Sequence, residues 1–360
     1  MTADRGGPIF VVGSMRSGST MLRLILDSHP HIAVPPETGF MGAVSATKRI
    51  PEWKFGEGWY ERLGWTEAEL DQRLRRFYDE MFSRYAAEQG KSRWGEKTPF
   101  HTSHMEQMGR IFPDAAFVGI VRHPGAAASS LRRRFHYGFA EAVTYWSDTN
   151  RDLLRGGIAL GDRFALCRYE DLVQDGEPVL RRLLTFLGEP WAVEVTEHHR
   201  VQREKGAPRT VEGSTVTSDP VDPSRADAWS ATVDVDDCRE LRRIGGLAAF
   251  LGYDADPNGS RPPPLPWDHA GIATGTDLGR RRLDAPELSL DVDRRPHLVD
   301  ASAEELAARL TRAEAALVRV RSRRAVRVGD ALRKVQHGRT LADVRAAWRV
   351  LREAAAGPGR

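Results

Sequence analysis

The stretch from Ile9 to Leu26 limits the fold more than any other part of the chain. Ile9-Phe10-Val11-Val12 is a short, apolar, largely β-branched run that ends at Gly13. Such a run reads as a buried strand. Gly13-Ser14-Met15-Arg16-Ser17-Gly18-Ser19-Thr20 comes next, and Met21, Leu22, Leu24, Ile25 and Leu26 then supply the apolar side of a helix. Strand, glycine loop and helix in this order have the spacing of a phosphate loop, G-x-x-x-x-G, with Ser19 where a lysine usually stands. The loop presents backbone N–H groups at a helix N-terminus, which suits a phosphate dianion. Ser19 and Thr20 add hydroxyls, and Arg16 returns a cation from inside the loop.

The missing lysine narrows the chemistry. A nucleoside triphosphatase uses that lysine on the terminal phosphates and an acidic strand-end residue for Mg²⁺. Here the next buried strand, Ala116 to Val121, ends in Arg122. Extra cations without a metal suit a nucleotide carrying a single terminal anionic group. A kinase or nucleotide hydrolase, and a nucleotide-binding module without catalysis, stand as alternatives.

The rest of the chain extends the pattern. Residues 67–89 read as an amphipathic helix with Leu70, Leu74, Phe77, Met81 and Tyr85 on one face. Helices are expected over 125–134, from Ala140 to Arg155 and around Val179–Leu187, and a third strand over Phe164–Cys167. The three prolines between Asp27 and Pro36 restrict that segment to loop or edge strand. Strands alternating with helices predict an α/β fold with a mostly parallel sheet flanked by helices. Residues 256–302 lose apolar residues and read as a linker or irregular surface segment.

Composition excludes other classes. The net charge of +3 is too small to imply nucleic acid, and most of the basic excess sits late: from Ala303 to Arg360 there are fourteen Lys/Arg against six Asp/Glu. Cys167 and Cys238 are the only cysteines, too few for a disulfide scaffold, and they fit a reducing, cytoplasmic setting. The N-terminal residues lack the pattern of a signal peptide, and no apolar run reaches the length of a membrane span. His29, His101, His104 and His123 form no H-x-x-x-H or Cys/His pattern, so no metal is expected.

Five motifs in order resemble the sulfotransferase family, in particular its bacterial and tyrosylprotein-type branch. They are Pro8 to Thr20; Leu26-Asp27-Ser28-His29-Pro30 with Glu37-Thr38; Trp94-Gly95-Glu96-Lys97-Thr98-Pro99; Val121-Arg122-His123-Pro124 with Ser130; and Arg168-Tyr169-Glu170-Asp171-Leu172. The resemblance covers residues 8–255. It implies a P-loop-type α/β domain that moves a sulfuryl group from 3′-phosphoadenosine-5′-phosphosulfate (PAPS) to an acceptor hydroxyl, leaving 3′,5′-ADP. Arg16, Ser17, Gly18, Ser19 and Thr20 would hold the 5′-phosphosulfate, and Arg122 and Ser130 the 3′-phosphate. Glu37 would be the general base, with Lys97 and Arg16 meeting the charge that builds in the transition state. Tyr169 either borders the nucleotide or belongs to the core. The family usually has Arg or Lys immediately before a late Trp. This chain has Ala228 before Trp229, and Arg225 is the candidate substitute.

Two features concern what lies beyond the nucleotide. Trp53, Phe55, Trp59, Tyr60 and Trp65 form one aromatic group, and Phe135, Tyr137, Phe139, Tyr145 and Trp146 another. Each serves either as an acceptor wall or as ordinary core. The acceptor expected is a small molecule or glycan: a carbohydrate, glycolipid or natural-product hydroxyl. The basic tail over 303–360 reads as helical. It offers peripheral membrane contact, self-association through a Leu306–Val320 seam, or a solvated terminus.

Overall fold

A computed structural model describes residues 6–48, 58–206, 210–211, 215–216, 219–254, 271–286 and 288–291. All of them fall in the first of the two units into which the chain divides, Met1–Asp293 and Arg294–Arg360. The tail, Trp53 and Phe55 lie outside the described residues.

A six-stranded sheet organises this unit. Its strands are β1 (Ile9–Val12), β2 (Ile32–Ala33), β3 (Arg93–Lys97), β4 (Ala116–Val121), β5 (Phe164–Arg168) and β8 (Ile272–Thr274). A two-residue hairpin, β6 (Thr210–Val211) with β7 (Thr215–Val216), stands apart. The order in the sheet is β2-β3-β1-β4-β5-β8. The first five strands run parallel, and β8 pairs antiparallel with β5. A strand buried on both faces needs apolar residues at every position. β1 meets that need: Ile9 and Val11 pack into the core on one face, Phe10 and Val12 into the core on the other. Phe10 sits among the rings of Phe40, Trp94, Phe112 and Phe117, with centroids 5.2–6.0 Å away.

The order places β1 where the chain winds off in two directions, toward β3 and β2 on one side and toward β4 and β5 on the other. In an open parallel sheet the crevice at such a reversal, outside the carboxyl ends of the strands, is where ligands bind. The segments that leave those ends are Gly13–Gly18 from β1, Val34–Glu37 from β2, Thr98 from β3, Arg122 from β4 and Tyr169 from β5. The expected sheet and its P-loop-type order are therefore those of the protein.

Helices Ser19–Asp27, Pro124–Phe135 and Gly176–Leu187 lie where the sequence predicts them, and Phe139–Leu160 runs past both expected ends, to Leu160 rather than Arg155. Helix Glu67–Glu88 has its predicted span and part of its predicted face: Leu70 is buried, and Leu74 and Tyr85 pack against the core, but Phe77 and Met81 do not. Leu70, Tyr78, Phe82 and Ala86 are buried, while Phe77 is 61% and Met81 43% exposed. The face is chosen by partners that the helix sequence does not contain: Tyr78 meets Phe40 at 4.6 Å, and Phe82 stacks on Trp94 at 4.8 Å.

The linker reading of 256–302 needs correction for its middle part. Ile272–Thr274 is a strand of the sheet, and Thr274 caps helix Gly275–Leu283 through a reciprocal bond pair with Asp277. A three-residue strand is too short to show as an apolar run, which is why composition hides it. β3 was missed as a strand for a related reason: Arg93-Trp94-Gly95-Glu96-Lys97 has one apolar side chain in five, yet every residue is buried.

Candidate active site

The loop after β1 is held open by backbone geometry. Gly13 and Gly18 have positive φ, 149° and 100°, and a Cβ at Gly18 would collide with the Tyr169 ring. Only glycine meets both conditions at low cost. Gly18 caps helix α1 (Ser19–Asp27) in the left-handed region and offers no side-chain acceptor to its first N–H groups. The loop is pinned from outside. Gly13 N–H donates to Thr102 Oγ1 at 2.9 Å, and Met15 N–H to the Tyr145 hydroxyl at 3.3 Å. Burial pushes Tyr145 up to about 12, so that hydroxyl stays neutral. Ser14 Oγ and Ser17 Oγ are buried and have no hydrogen-bond partner among the described residues. Buried polar groups are rarely left so. Two orphaned hydroxyls beside an uncapped helix start fit an anionic phosphoryl or sulfuryl group.

Arg16 carries the loop's charge at φ 68°, a conformation L-residues seldom adopt. Its Nε donates to Ser130 Oγ at 2.9 Å. Burial lowers the Arg16 pKa, and Arg122, Arg134 and Arg133 lower it further. So many guanidinium groups around one loop create a strong local demand for an anion.

Arg122 extends from the end of β4. Its guanidinium lies 4.2 Å over the Tyr169 ring, and Nη2 donates to the Arg225 carbonyl at 2.7 Å. Nε is buried and has no hydrogen-bond partner among the described residues. Tyr169 is buried, with one flank against Gly18 and Arg122 above it. Arg225 enters by its backbone only. Its side chain is 55% exposed and pairs with Asp222 at 3.4 Å. His123 caps helix Pro124–Phe135 by accepting from Gly125 N–H, and its ring stacks on Trp229 at 4.1 Å.

Glu37 and Lys97 meet. The strand register sets Lys97 beside Val11, two residues before the loop, with its side chain wholly buried. Nζ donates to Glu37 Oε1 and, at 3.2 Å, to Thr20 Oγ1. A buried ammonium is tolerated only with such partners. Glu37 remains 38% exposed, which leaves the carboxylate open toward an incoming molecule.

The sequence-predicted residues thus divide. Arg16, Ser17, Gly18, Thr20, Glu37, Lys97, Arg122, Ser130 and Tyr169 converge on one crevice, with Ser19 at the start of α1, and Arg225 stays at its rim. Sequence reading names Glu96, His101 and Tyr145 but gives them no role in holding the loop or the strand end, and it gives Arg134 none either. Only Arg134, four residues after Ser130 on the same helix, gave a signal that spacing could have caught.

Of the second aromatic group, Phe139 and Trp146 are core, and Phe135 is 47% exposed. Among the described residues one cluster has metal-ligand atoms within reach of one another: His29, His31 and Glu189. His29 Nδ1 accepts from His31 N–H and Nε2 lies 2.9 Å from the Pro190 carbonyl, so both ring nitrogens already hold the chain.

Comparison with known proteins agrees with this geometry. The model of the sulfotransferase family matches residues 8–193. Among curated relatives, protein-tyrosine sulfotransferase 1 of Danio rerio is 28% identical over 277 residues, covering 72% of this chain and 77% of its own. The human protein of that name is 29% identical over 273 residues, covering 71% and 73%. A solved sulfotransferase domain of the curacin biosynthetic pathway is 22% identical with a TM-score of 0.49, covering 69% of this chain and 98% of its own. With the family model spanning more than half of its length, the chain belongs to the sulfotransferase family and is an enzyme that transfers a sulfuryl group.

Proposed function

We propose that the enzyme takes its sulfuryl group from PAPS and passes it to an acceptor hydroxyl, with Glu37 as base. The observation that carries this reading is the contact of Lys97 with both Glu37 and Thr20 at the mouth of the phosphate loop. PAPS supplies an activated sulfuryl group whose leaving group is 3′,5′-ADP. Ser14, Ser17 and the first N–H groups of α1 bind the 5′-phosphosulfate. Arg122 and Ser130 hold the 3′-phosphate, as arginine suits bidentate contact with such a group. Tyr169 supports Arg122 from beneath.

Glu37 accepts the acceptor's proton as the new O–S bond forms and the S–O bond to the nucleotide breaks. Lys97 and Arg16 face the negative charge that develops on the departing oxygen. Fixed cations in a site that excludes water are the strongest contribution a protein makes to such a transfer. Lys97 is shared between Glu37 and Thr20, so it can shift toward the sulfuryl oxygens without leaving Glu37 unpaired.

For the acceptor, the first reading is a carbohydrate, glycolipid or natural-product alcohol. The relatives, named for protein tyrosine, favour a second reading, a peptide phenol. Release of 3′,5′-ADP from PAPS, measured against a panel of sugars, glycolipids, phenols and tyrosine peptides, tests both. No turnover with any hydroxyl under conditions where 3′,5′-ADP binds would overturn the assignment.

A further inference from the structure

Glu96 has a fully buried carboxylate one residue before Lys97, on the strand edge that pairs with Phe10. A charge in an aromatic core is costly unless each oxygen is satisfied. Here Oε1 takes three hydrogen bonds, and Oε2 faces a histidine ring at ion-pair distance. Oε1 accepts from Thr38 N–H at 3.2 Å, from the Thr38 hydroxyl at 2.8 Å and from the Thr98 hydroxyl at 2.8 Å. Oε2 lies 2.7 Å from His101 Nδ1. Met41 N–H points at His101 Nε2, which leaves the ring proton on Nδ1, facing the carboxylate. Burial would raise the Glu96 pKa, but the bonds from His101, Thr38 and Thr98 hold it below its ordinary value.

The partners come from three places that matter. Thr38 follows Glu37. Thr98 follows Lys97 and also accepts from Gly39 N–H at 3.2 Å. His101 precedes Thr102, whose hydroxyl accepts from Gly13 N–H. Replacing a buried charge by an apolar residue of similar size is often neutral or stabilising, so a buried carboxylate is poor value for stability alone. Its bonds run to the neighbours of the reacting groups instead.

We propose that Glu96 is a positioning residue for sulfuryl transfer: one buried carboxylate fixes the Glu37 loop against the strand end that bears Lys97 and joins both to the phosphate loop through His101. The inference rests on the roles assigned above to Glu37 and Lys97. It assigns Glu96 and Thr38 no contact with substrate. They act by setting where Glu37 stands.

The test uses the full chain with PAPS and an accepted hydroxyl, and the variants Thr38→Val, Thr38→Ser, Glu96→Gln and Glu37→Gln. Thr38 is exposed, so its variants leave the core intact. Thr38→Val and Glu96→Gln are expected to lower kcat by about 10- to 100-fold, the scale of a displaced reacting group. Affinity for 3′,5′-ADP should stay within about threefold. Thr38→Ser, which keeps the hydroxyl, should restore the rate. Wild-type kcat in folded Thr38→Val and Glu96→Gln would overturn the proposal, as would a serine variant no better than valine, or a loss of 3′,5′-ADP affinity as large as the loss of kcat. Glu37→Gln judges the base separately. Full activity there removes Glu37 as base, while the Thr38 pair still decides whether the clamp affects the rate.

Discussion

Arg16 and Ser130 lie 114 residues apart and share a hydrogen bond, Nε to Oγ at 2.9 Å. The loop after β1 and the helix after β4 are therefore one binding unit. Ser130→Ala should weaken 3′,5′-ADP binding directly and also loosen Arg16. A hydrogen bond to a charged group contributes about 1.5–3 kcal/mol, so a loss of at least about tenfold is expected by calorimetry. A smaller but measurable loss should appear with 5′-AMP, which lacks the 3′-phosphate. Unchanged 5′-AMP affinity would separate the two ends again.

Arg122 sets nucleotide choice. Its stacked guanidinium and orphaned Nε predict that 3′,5′-ADP binds far better than 5′-AMP or ADP, without Mg²⁺. Arg122→Ala should erase most of that preference. Tyr169→Leu should weaken 3′,5′-ADP binding as well, by about thirtyfold, the scale of a desolvated cation–π contact. Equal binding of 5′-AMP and 3′,5′-ADP by the parent enzyme would contradict the 3′-phosphate assignment.

Glu37→Gln keeps the shape of the side chain and removes its basicity. A general base contributes about 100- to 10,000-fold, so kcat should fall at least about 100-fold while 3′,5′-ADP affinity holds. A variant with more than about a tenth of the parent rate points to a different base.

Acid should destabilise the protein through two buried histidines. Burial lowers both His123 and His198 to about 4, well under the value of about 6.5 they regain on unfolding. Between those values the unfolded chain binds the extra protons, so stability is complete above about pH 6.5 and is lost as pH falls toward 4. Urea midpoints at pH 7, 6 and 5 should decline in step. His123→Gln should make the decline shallower, even though the variant starts lower for want of the ring stacked on Trp229.

The sequence made the central strand, the phosphate loop and the Arg122 strand end legible because each is a local pattern. β1 needs no partner to be recognised as buried, and the glycine spacing specifies its own turn. Glu96 could not be read that way. Its role depends on Thr38, 58 residues away, and on a strand whose sequence looks polar. The middle of the inward face of helix Glu67–Glu88 was misread for the same reason: Phe40 and Trp94 select Tyr78 and Phe82 over Phe77 and Met81, and neither selector lies on the helix. Contacts that give a residue its function at long range leave no periodicity to find.

The short strand Ile272–Thr274 has a practical consequence. It covers the outer side of β5 by pairing Ala165, Leu166 and Cys167, although every assigned site residue lies before it and the family match ends at residue 193. A chain cut at residue 255 would retain the whole crevice and yet uncover a row of backbone donors and acceptors on Ala165–Cys167. An open row of that kind is a template on which another molecule's strand can add. Such a shortened enzyme should precipitate or associate while its active site is intact, and loss of activity on truncation would then report aggregation rather than a missing catalytic group. The shortest useful form extends at least through Leu283, so that the helix following the strand comes with it.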